Sequence, residues 1–313
     1  MSESNFAMLF PGQGSQSVGM LKALASVYPA VQQTFDEASN VLNFDLWKLV
    51  QEGPEDRLNQ THNTQPAMLA AGVAVWRIWH AEGGGKPALL AGHSLGEYSA
   101  LVCAGALEFA AAIGLVAERG RLMQGAVPEG AGGMAAILGL DDDQVRAVCS
   151  EAAGLEVVEA VNFNSPGQVV IAGDKAAVER ACELAKSAGA KRALPLPVSV
   201  PSHCALMQPA AERLSDRLMG VNIHTPRVPV LHNVDVSEAG DPQSIRNKLV
   251  EQLYSPVRWV ETIQAIAGRG VNDLIEAGPG KVLTGLNKRI DKKLNGLAVF
   301  DPEGLSAALE ASK

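Results

Sequence analysis

Two short apolar segments, each ending in a glycine-rich turn, constrain the fold most strongly. Phe6–Phe10 runs into Pro11-Gly12-Gln13-Gly14, and Pro87–Ala91 runs into Gly92-His93-Ser94-Leu95-Gly96. Both segments are apolar throughout rather than alternating, which predicts strands that are buried on both faces. Helical spacing of apolar residues predicts helices near Met20–Ser39 and Gln65–His80. Strand, tight turn and helix in repetition indicate an α/β fold with a mostly parallel sheet.

The middle of the chain follows a different pattern. It predicts strands and helices in the order βαββαβ, the ferredoxin-like split unit. The four strands are Met134–Leu138, Val157–Val161, Gln168–Ala172 and Arg192–Val198, and the two helices are Asp141–Ala153 and Lys175–Ala188. A turn-rich loop is expected at 162–167. We therefore expect a small ferredoxin-like domain at 129–198, inserted into a large α/β domain formed by 1–128 and 199–313.

After the insertion, further apolar strands are predicted near 228–233 and 273–277. In open α/β sheets, ligands bind in the crevice at the carboxyl ends of the strands. Four residues follow predicted strand ends and are therefore expected to converge on one crevice: Gln13, Ser94, Asn233 and Gly278.

Composition excludes several classes of function. Among 313 residues, 26 Lys and Arg stand against 34 Asp and Glu, a net charge of −8, which argues against a general nucleic-acid binder. No apolar run approaches the roughly 20 residues of a membrane span, and the first residues do not resemble a secretory signal. Four cysteines without CxxC spacing are no disulfide framework, so we expect a cytoplasmic protein.

The segment Gly92-His93-Ser94-Leu95-Gly96 matches the G-x-S-x-G nucleophile elbow. In that turn a serine hydroxyl projects from a sharp strand-to-helix junction, and the next backbone N–H can bind an oxyanion. The predicted strand and helix on either side supply the required context. The alternative is an ordinary turn in which Ser94 caps the helix.

A serine nucleophile needs a base, and the chain has six histidines. His203 lies in a proline-punctuated loop after the inserted domain and follows Ser94 in the order found in hydrolases. His93 adjoins the serine, but neighbouring side chains at a sharp turn usually diverge. No carboxylate stands out as a third member, and Glu97 is expected to cap the elbow helix or face solvent. Without HxxxH or HExxH spacing, a metal site is not expected.

Several blocks together resemble the malonyl-CoA:acyl carrier protein transacylases of type II fatty acid synthesis. They occur in the order of that family and cover nearly the whole chain: Phe10–Gln16, Gly92–Tyr98, Arg119–Gln124, Asn162–Pro166, Pro201–His203, Gln252–Trp259 and Gly278–Gly280. The resemblance implies a hydrolase-like α/β domain with a ferredoxin-like insertion. It also implies transfer of a malonyl group from malonyl-CoA to the phosphopantetheine thiol of acyl carrier protein, through a malonyl-serine intermediate in a ping-pong mechanism.

The resemblance implies roles for single residues. Ser94 would be the nucleophile and His203 its base, with the imidazole oriented by the backbone carbonyl of Gln252. The backbone N–H groups of Gln13 and Leu95 would form the oxyanion hole. Arg119 would bind the malonyl carboxylate, whereas its charged neighbours alone indicate a solvated helix residue. Asn162 and Asn164 would lie near the site, and we also expect His93 and Asn162 to contact the substrate.

The same resemblance implies no permanently bound cofactor and no metal, because CoA and phosphopantetheine enter as parts of the substrates. We expect a monomer with no nucleic-acid or membrane partner. An acidic carrier protein would need a local cationic patch on this acidic chain. One candidate dock contains five cations, although it is equally explained as a solvated helix face: Lys281, Lys288, Arg289, Lys292 and Lys293.

Two other classes of function are compatible with the residues. A serine esterase or thioesterase would use the same elbow with water as the second nucleophile, but it has no use for a buried cation opposite the serine. A catalytically idle scaffold would retain the fold, although retention of Ser94, His203 and Arg119 speaks against it.

Overall fold

A computed structural model describes residues 6–198 and 200–312 of the chain. Its strands form two sheets, one parallel and one antiparallel. In chain order the strands of the described residues are β1 Phe6–Phe10, β2 Leu89–Gly92, β3 Gly132–Leu138, β4 Val158–Ser165, β5 Gln168–Asp174, β6 Arg192–Pro195, β7 Val230–Leu231, β8 Asp273–Ala277 and β9 Asn295–Val299.

Helices cover both sheets. Their bounds are α1 Lys22–Ala25, α2 Ala30–Leu42, α3 Leu46–Glu52, α4 Glu55–Leu58, α5 Thr61–Ala81, α6 Gly96–Cys103, α7 Phe109–Gln124, α8 Asp142–Ala153, α9 Lys175–Ser187, α10 Gln208–Met219, α11 Pro242–Glu251, α12 Trp259–Gly268, α13 Val282–Ile290 and α14 Pro302–Ala311. The single helix predicted near Met20–Ser39 is two helices, because Pro29 begins a new helix there as the N-cap of α2. Within the described ranges no helix is long and apolar enough to cross a membrane.

The larger sheet has the order β7-β2-β1-β8-β9 and is parallel throughout. Every residue of β1 and β2 is buried, as expected for central strands with helices on both faces. The prediction of a doubly covered parallel sheet is confirmed. The edge strand β9 was not predicted, because its half-buried sequence Asn-Gly-Leu-Ala-Val lacks a continuous apolar run.

The smaller sheet is antiparallel, with the order β4-β5-β3-β6. The elements β3, α8, β4, β5, α9 and β6 follow one another as βαββαβ, so the ferredoxin-like prediction is confirmed. Asp141 begins α8 with a capping box, in which its side chain accepts the Gln144 N–H. This sheet packs on α8 and α9 around an apolar core of its own. We propose 129–198 as the bounds of this inserted domain.

The prediction of a loop at 162–167 is wrong. Strand β4 continues through these polar residues to Ser165, and only Pro166 and Gly167 form the turn before β5. The pairing of β4 with β5 shifts register twice, after Ala160 and after Phe163. Such a bulge re-aims side chains, and Asn162 also bridges to Val257 of the large domain. The polar residues thus occupy a strand whose second half also pairs with the large domain.

Close backbone packing brings the first turn against the elbow. A Cβ at Gly12 would lie 2.5 Å from the carbonyl oxygen of His93, and one at Gly96 would overlap the carbonyl oxygen of Phe10. Only glycine fits at these two positions without moving backbone. Gln13 and Ser94, which follow adjacent strands, are consequently held at the same edge of the sheet.

Candidate active site

Three residues from separate parts of the chain form a hydrogen-bonded relay. The Ser94 Oγ lies 2.7 Å from His203 Nε2, and His203 Nδ1 lies 2.7 Å from the backbone carbonyl oxygen of Gln252. A carbonyl oxygen only accepts, so Nδ1 carries the proton and Nε2 of a neutral ring accepts from the serine hydroxyl. Among the described residues, no carboxylate contacts this histidine. The arrangement can activate a serine, with a neutral acceptor where many triads have an acid.

Both reacting residues have unusual backbone conformations. The φ angle of Ser94 is 50° and that of His203 is 68°, both in the left-handed region, which is uncommon for residues other than glycine. The His203 N–H donates to the Leu253 carbonyl oxygen at 2.9 Å, which fixes its turn. Strained conformations of this kind persist where the surrounding structure holds them and concentrate at functional sites.

The pKa of His203 is lowered from 6.5 to about 3, mainly by burial and then by the positive charge of Arg119, while the hydrogen bond to Gln252 opposes both. The side chain is 2% exposed. His203 is therefore neutral at physiological pH, and its Nε2 lone pair is available to take the serine proton.

Two backbone amides lie near the serine without a partner. Within the described residues, the N–H groups of Gln13 and Leu95 donate no hydrogen bond to another protein group. Leu95 is the N-cap of α6, so the positive end of that helix dipole also points toward this place. Two free N–H donors beside a nucleophile are suited to form an oxyanion hole.

Arg119 is buried, with 1% of its surface exposed. Its Nη1 donates to Gln65 Oε1 and its Nη2 to Gln252 Oε1, both at 2.9 Å, and its Nε has no partner in the described part of the chain. Both partners are neutral amides, and none of the ion pairs in the described ranges includes this guanidinium. Burial lowers its pKa. The solvated position that its charged neighbours indicate is wrong, because helix α7 turns this residue inward while Arg121 stays exposed.

One cavity of about 460 Å³ joins these groups. Residues of the small domain, Met134, Leu196 and Val198, form part of its wall. Gln252 does not line the cavity, because it lies behind His203. All the other predicted site residues are in its wall: Gln13, His93, Ser94, Leu95, Arg119, Asn162 and His203. The other two strand-end residues expected in the crevice do not line this cavity: Asn233 Oδ1 accepts the Ser94 N–H, and Gly278 lies against Pro11.

His93 and Asn162 lie in the wall of the cavity. The Nε2–H of His93 donates to Asn164 Oδ1 at 2.8 Å, and its ring packs 5.5 Å from Trp259, centroid to centroid. Burial lowers the pKa of His93, so it is a neutral donor held away from Ser94. Asn162 Oδ1 is buried without a partner among the described residues, which leaves it available to a ligand donor.

The prediction for Glu97 is wrong. Its carboxylate is fully buried and accepts the Nδ1–H of His232 at 2.7 Å and the backbone N–H of Asn233 at 2.8 Å. Sequence reasoning also missed Gln65, a partner of Arg119. Neither residue has a local signal, because each acquires its role from segments more than 50 residues away. Among the described residues, no group of His, Cys, Asp and Glu could hold a metal ion.

The burial of His203 predicts a pH-dependent stability. Between pH 6.5 and the folded pKa of about 3, the unfolded chain binds a proton that the folded protein does not, so the free energy of unfolding falls as the pH is lowered. The free energy of unfolding of the wild type should fall between pH 8 and pH 5. In His203→Asn this fall should be smaller by about 2 kcal/mol. Denaturant titrations of both proteins at each pH measure this difference. A constant difference across that range would contradict the assigned burial effect.

The sequence profile of the acyl transferase domain family matches residues 7–296. The chain is 60% identical over 306 residues to a malonyl CoA-acyl carrier protein transacylase from Salmonella typhimurium, covering 98% of this chain and 99% of that protein. It is 47% identical over 311 residues to the protein of the same name from Bacillus subtilis, covering 99% and 98%.

Solved structures agree over the whole fold. An acyl carrier protein S-malonyltransferase from Vibrio cholerae superimposes with a TM-score of 0.95 at 62% identity, covering 97% of this chain and 99% of that one. A malonyl-transacylase in complex with its type II PKS acyl-carrier protein, PlMCAT:AntF, superimposes with a TM-score of 0.97 at 59% identity, covering 98% and 100%. The chain therefore belongs to the family of malonyl CoA-acyl carrier protein transacylases.

Proposed function

We propose that this enzyme transfers a malonyl group from malonyl-CoA to the phosphopantetheine thiol of acyl carrier protein, supplying fatty acid elongation. The observation that carries the proposal is the buried Arg119, a guanidinium without an ion-pair partner in the described ranges, in the same cavity as Ser94 and His203. A neutral acyl group would leave that charge uncompensated, whereas a malonyl carboxylate would pair with it. A general esterase or thioesterase has no need of this cation.

In the first half-reaction, His203 Nε2 takes the proton of Ser94 Oγ as the oxygen attacks the thioester carbonyl carbon. The N–H groups of Gln13 and Leu95 would stabilise the negative charge that develops on the carbonyl oxygen. The imidazolium remains hydrogen-bonded to Gln252. The tetrahedral intermediate then collapses, the carbon–sulfur bond breaks, and CoA leaves with the proton from His203. A malonyl-serine ester remains on the enzyme.

In the second half-reaction, the thiol of the carrier protein's phosphopantetheine enters the site that CoA has left. His203 takes the thiol proton, and the thiolate attacks the malonyl-serine ester. The new thioester forms as the bond to Ser94 Oγ breaks, and His203 returns its proton to the serine. CoA and phosphopantetheine arrive with the substrates, and the proposed steps call on no metal or redox cofactor. A monomeric state and a cytoplasmic location stay predictions.

The nucleophile and the base can be tested separately. Ser94→Ala should fold and form no malonyl-enzyme with radiolabelled malonyl-CoA, while His203→Ala should lose several orders of magnitude in the acylation rate. Peptide mapping of the labelled wild type should place the malonyl group on Ser94. Stable labelling of another residue in Ser94→Ala would contradict the nucleophile assignment. Near-normal acylation of His203→Ala would mean that another histidine is the base, and His93 would be tested first.

Arg119 should determine the preference for malonyl over acetyl. A guanidinium can bind a carboxylate through two parallel hydrogen bonds, which a lysine ammonium does not reproduce. Arg119→Ala should lose about 2–5 kcal/mol in kcat/KM for malonyl-CoA, roughly 30- to several-thousand-fold. Transfer from acetyl-CoA should hold or improve, and Arg119→Lys should recover only part of the malonyl activity.

The measurement is kcat/KM for malonyl-CoA and acetyl-CoA with each variant. Arg121→Ala is the matched control, because Arg121 lies on the same helix but is exposed and pairs with Glu118. An equal loss on both substrates in Arg119→Ala would show that Arg119 has only a structural role.

We propose the cationic cluster around α13 as the dock for acyl carrier protein. All five of its basic side chains are exposed: Lys281, Lys288, Arg289, Lys292 and Lys293. The Nη1 of Arg289 donates to Gln168 Oε1 at 2.8 Å, so the cluster lies where the large domain meets the start of β5. On a chain of net charge −8, a local cationic surface is what would steer an acidic partner.

Charge reversal tests the dock. Lys288→Glu combined with Arg289→Glu should raise the apparent KM for carrier protein about tenfold at low salt, because steering by charge is lost, and less at high salt. The KM for malonyl-CoA should not change. Arg213→Glu combined with Arg217→Glu, the same charge change on exposed positions of α10, is the control. If both KM values move together, or the control has the same effect, the cluster is not the dock.

A further inference from the structure

One buried side chain, Asn233, bridges the two sides of the nucleophile turn. Its Oδ1 accepts the backbone N–H of Ser94 at 2.7 Å, and its Nδ2 donates to the carbonyl oxygen of Gly92 at 2.7 Å. Asn233 follows β7 and is fully buried. A single amide thus holds the last residue of β2 and the serine together from a segment about 140 residues away in sequence.

Asn233 is itself held in place by the elbow helix. The carboxylate of Glu97 accepts the backbone N–H of Asn233 through Oε2 and the Nδ1–H of His232 through Oε1. All three side chains have no exposed surface. Glu97 of α6 therefore fixes the residues that follow β7. One of them, Asn233, in turn fixes the turn that leads into α6.

The turn needs such support because of its conformation. Ser94 has a φ of 50°, and a residue with a Cβ stays in the left-handed region only where its surroundings fix it. If the turn relaxed, the Ser94 hydroxyl would move relative to His203. The peptide that carries the Leu95 N–H follows directly and would move with it. One change of backbone would therefore disturb both the nucleophile and an oxyanion donor.

We propose that Asn233 is a positioning residue for the transfer reaction, which sets the place of the Ser94 hydroxyl and of the Leu95 amide and is fixed by Glu97. This proposal rests on the proposed role of Ser94 as nucleophile. Asn233 acts through the turn and does not line the cavity, so it should influence the chemical step rather than the binding of malonyl-CoA.

Single-turnover acylation separates these two effects. In Asn233→Ala the maximal acylation rate should fall about 100-fold, the loss expected when a reacting group is misplaced by about 1 Å. The concentration of malonyl-CoA that gives half of that rate should stay near the wild-type value. Asn233→Asp keeps an acceptor for the Ser94 N–H but places a second oxygen against the Gly92 carbonyl. Its maximal acylation rate should therefore lie between those of the wild type and Asn233→Ala.

A small uncharged fluorophosphonate that reacts with activated serines supplies a second readout, because it does not use Arg119. Its labelling rate should fall in parallel with malonyl acylation. Labelling at the wild-type rate in Asn233→Ala would overturn the proposal. If that variant does not fold, Asn233→Asp decides, and a wild-type acylation rate in it would also overturn the proposal.

Two controls complete the experiment. Glu276→Gln weakens another buried carboxylate, which accepts the N–H groups of Leu283 and Thr284 and does not line the cavity; it should lower Tm and keep the acylation rate. An equal loss of rate there would mean that general destabilisation explains the effect. Ser94→Ala should not be labelled. Persistent labelling of Ser94→Ala would refute the proposed nucleophile, and with it the basis of the role given to Asn233.

Discussion

The hydrogen bond from His203 Nδ1–H to the carbonyl oxygen of Gln252 gives the histidine a neutral partner where many triads have a carboxylate. The side chain of Gln252 makes two further hydrogen bonds. Its Oε1 accepts from Arg119 Nη2, and its Nε2 donates to the Ser94 carbonyl oxygen. A carboxylate behind the histidine would bring a negative charge close to the guanidinium. Because the acceptor is a neutral peptide group, the positive charge of Arg119 remains available to the acyl group that enters.

With the role proposed for Arg119, this arrangement would couple the charge of the substrate to the pKa of His203. Burial first, and then the charge of Arg119, lower the pKa of His203 to about 3, so the empty site disfavours the imidazolium that catalysis requires. A carboxylate seated on Arg119 would offset much of that positive potential. Under the role proposed for Arg119, a malonyl group would thereby ease protonation of His203, while a neutral acyl group would leave the penalty in place. The proposed selectivity would then arise in the chemical step as well as in binding.

The sequence was sufficient for the features that depend on local pattern. Uniformly apolar strands, glycine turns and the βαββαβ order predict the strands of both sheets except the edge strand β9, because burial and turn geometry act over a few residues. Ser94 was identifiable from its turn, His203 was a candidate base from its loop, and Gln13 was expected in the crevice from its strand end. The roles of Gln13, Leu95, Arg119 and Gln252 came from the resemblance. Gln65, Glu97 and Asn233 were not assigned their contacts, since those contacts join segments 54 to 141 residues apart. The polar strand through Asn162 was missed because the adjoining domain, not local propensity, accounts for it.

Gln65 and Gln252 explain how a buried arginine can be kept ready for a ligand. A buried guanidinium is costly unless its donors are satisfied, and an acidic partner would satisfy them but also neutralise the charge. Two amide oxygens occupy Nη1 and Nη2 without forming an ion pair with the guanidinium. In the proposed function, the folded protein gives up stability at Arg119 to retain a cation that the malonyl carboxylate would neutralise, consistent with the strain and desolvation often stored at functional sites. Replacing either amide by a carboxylate would relieve that cost and remove the reason for an anionic acyl group to bind.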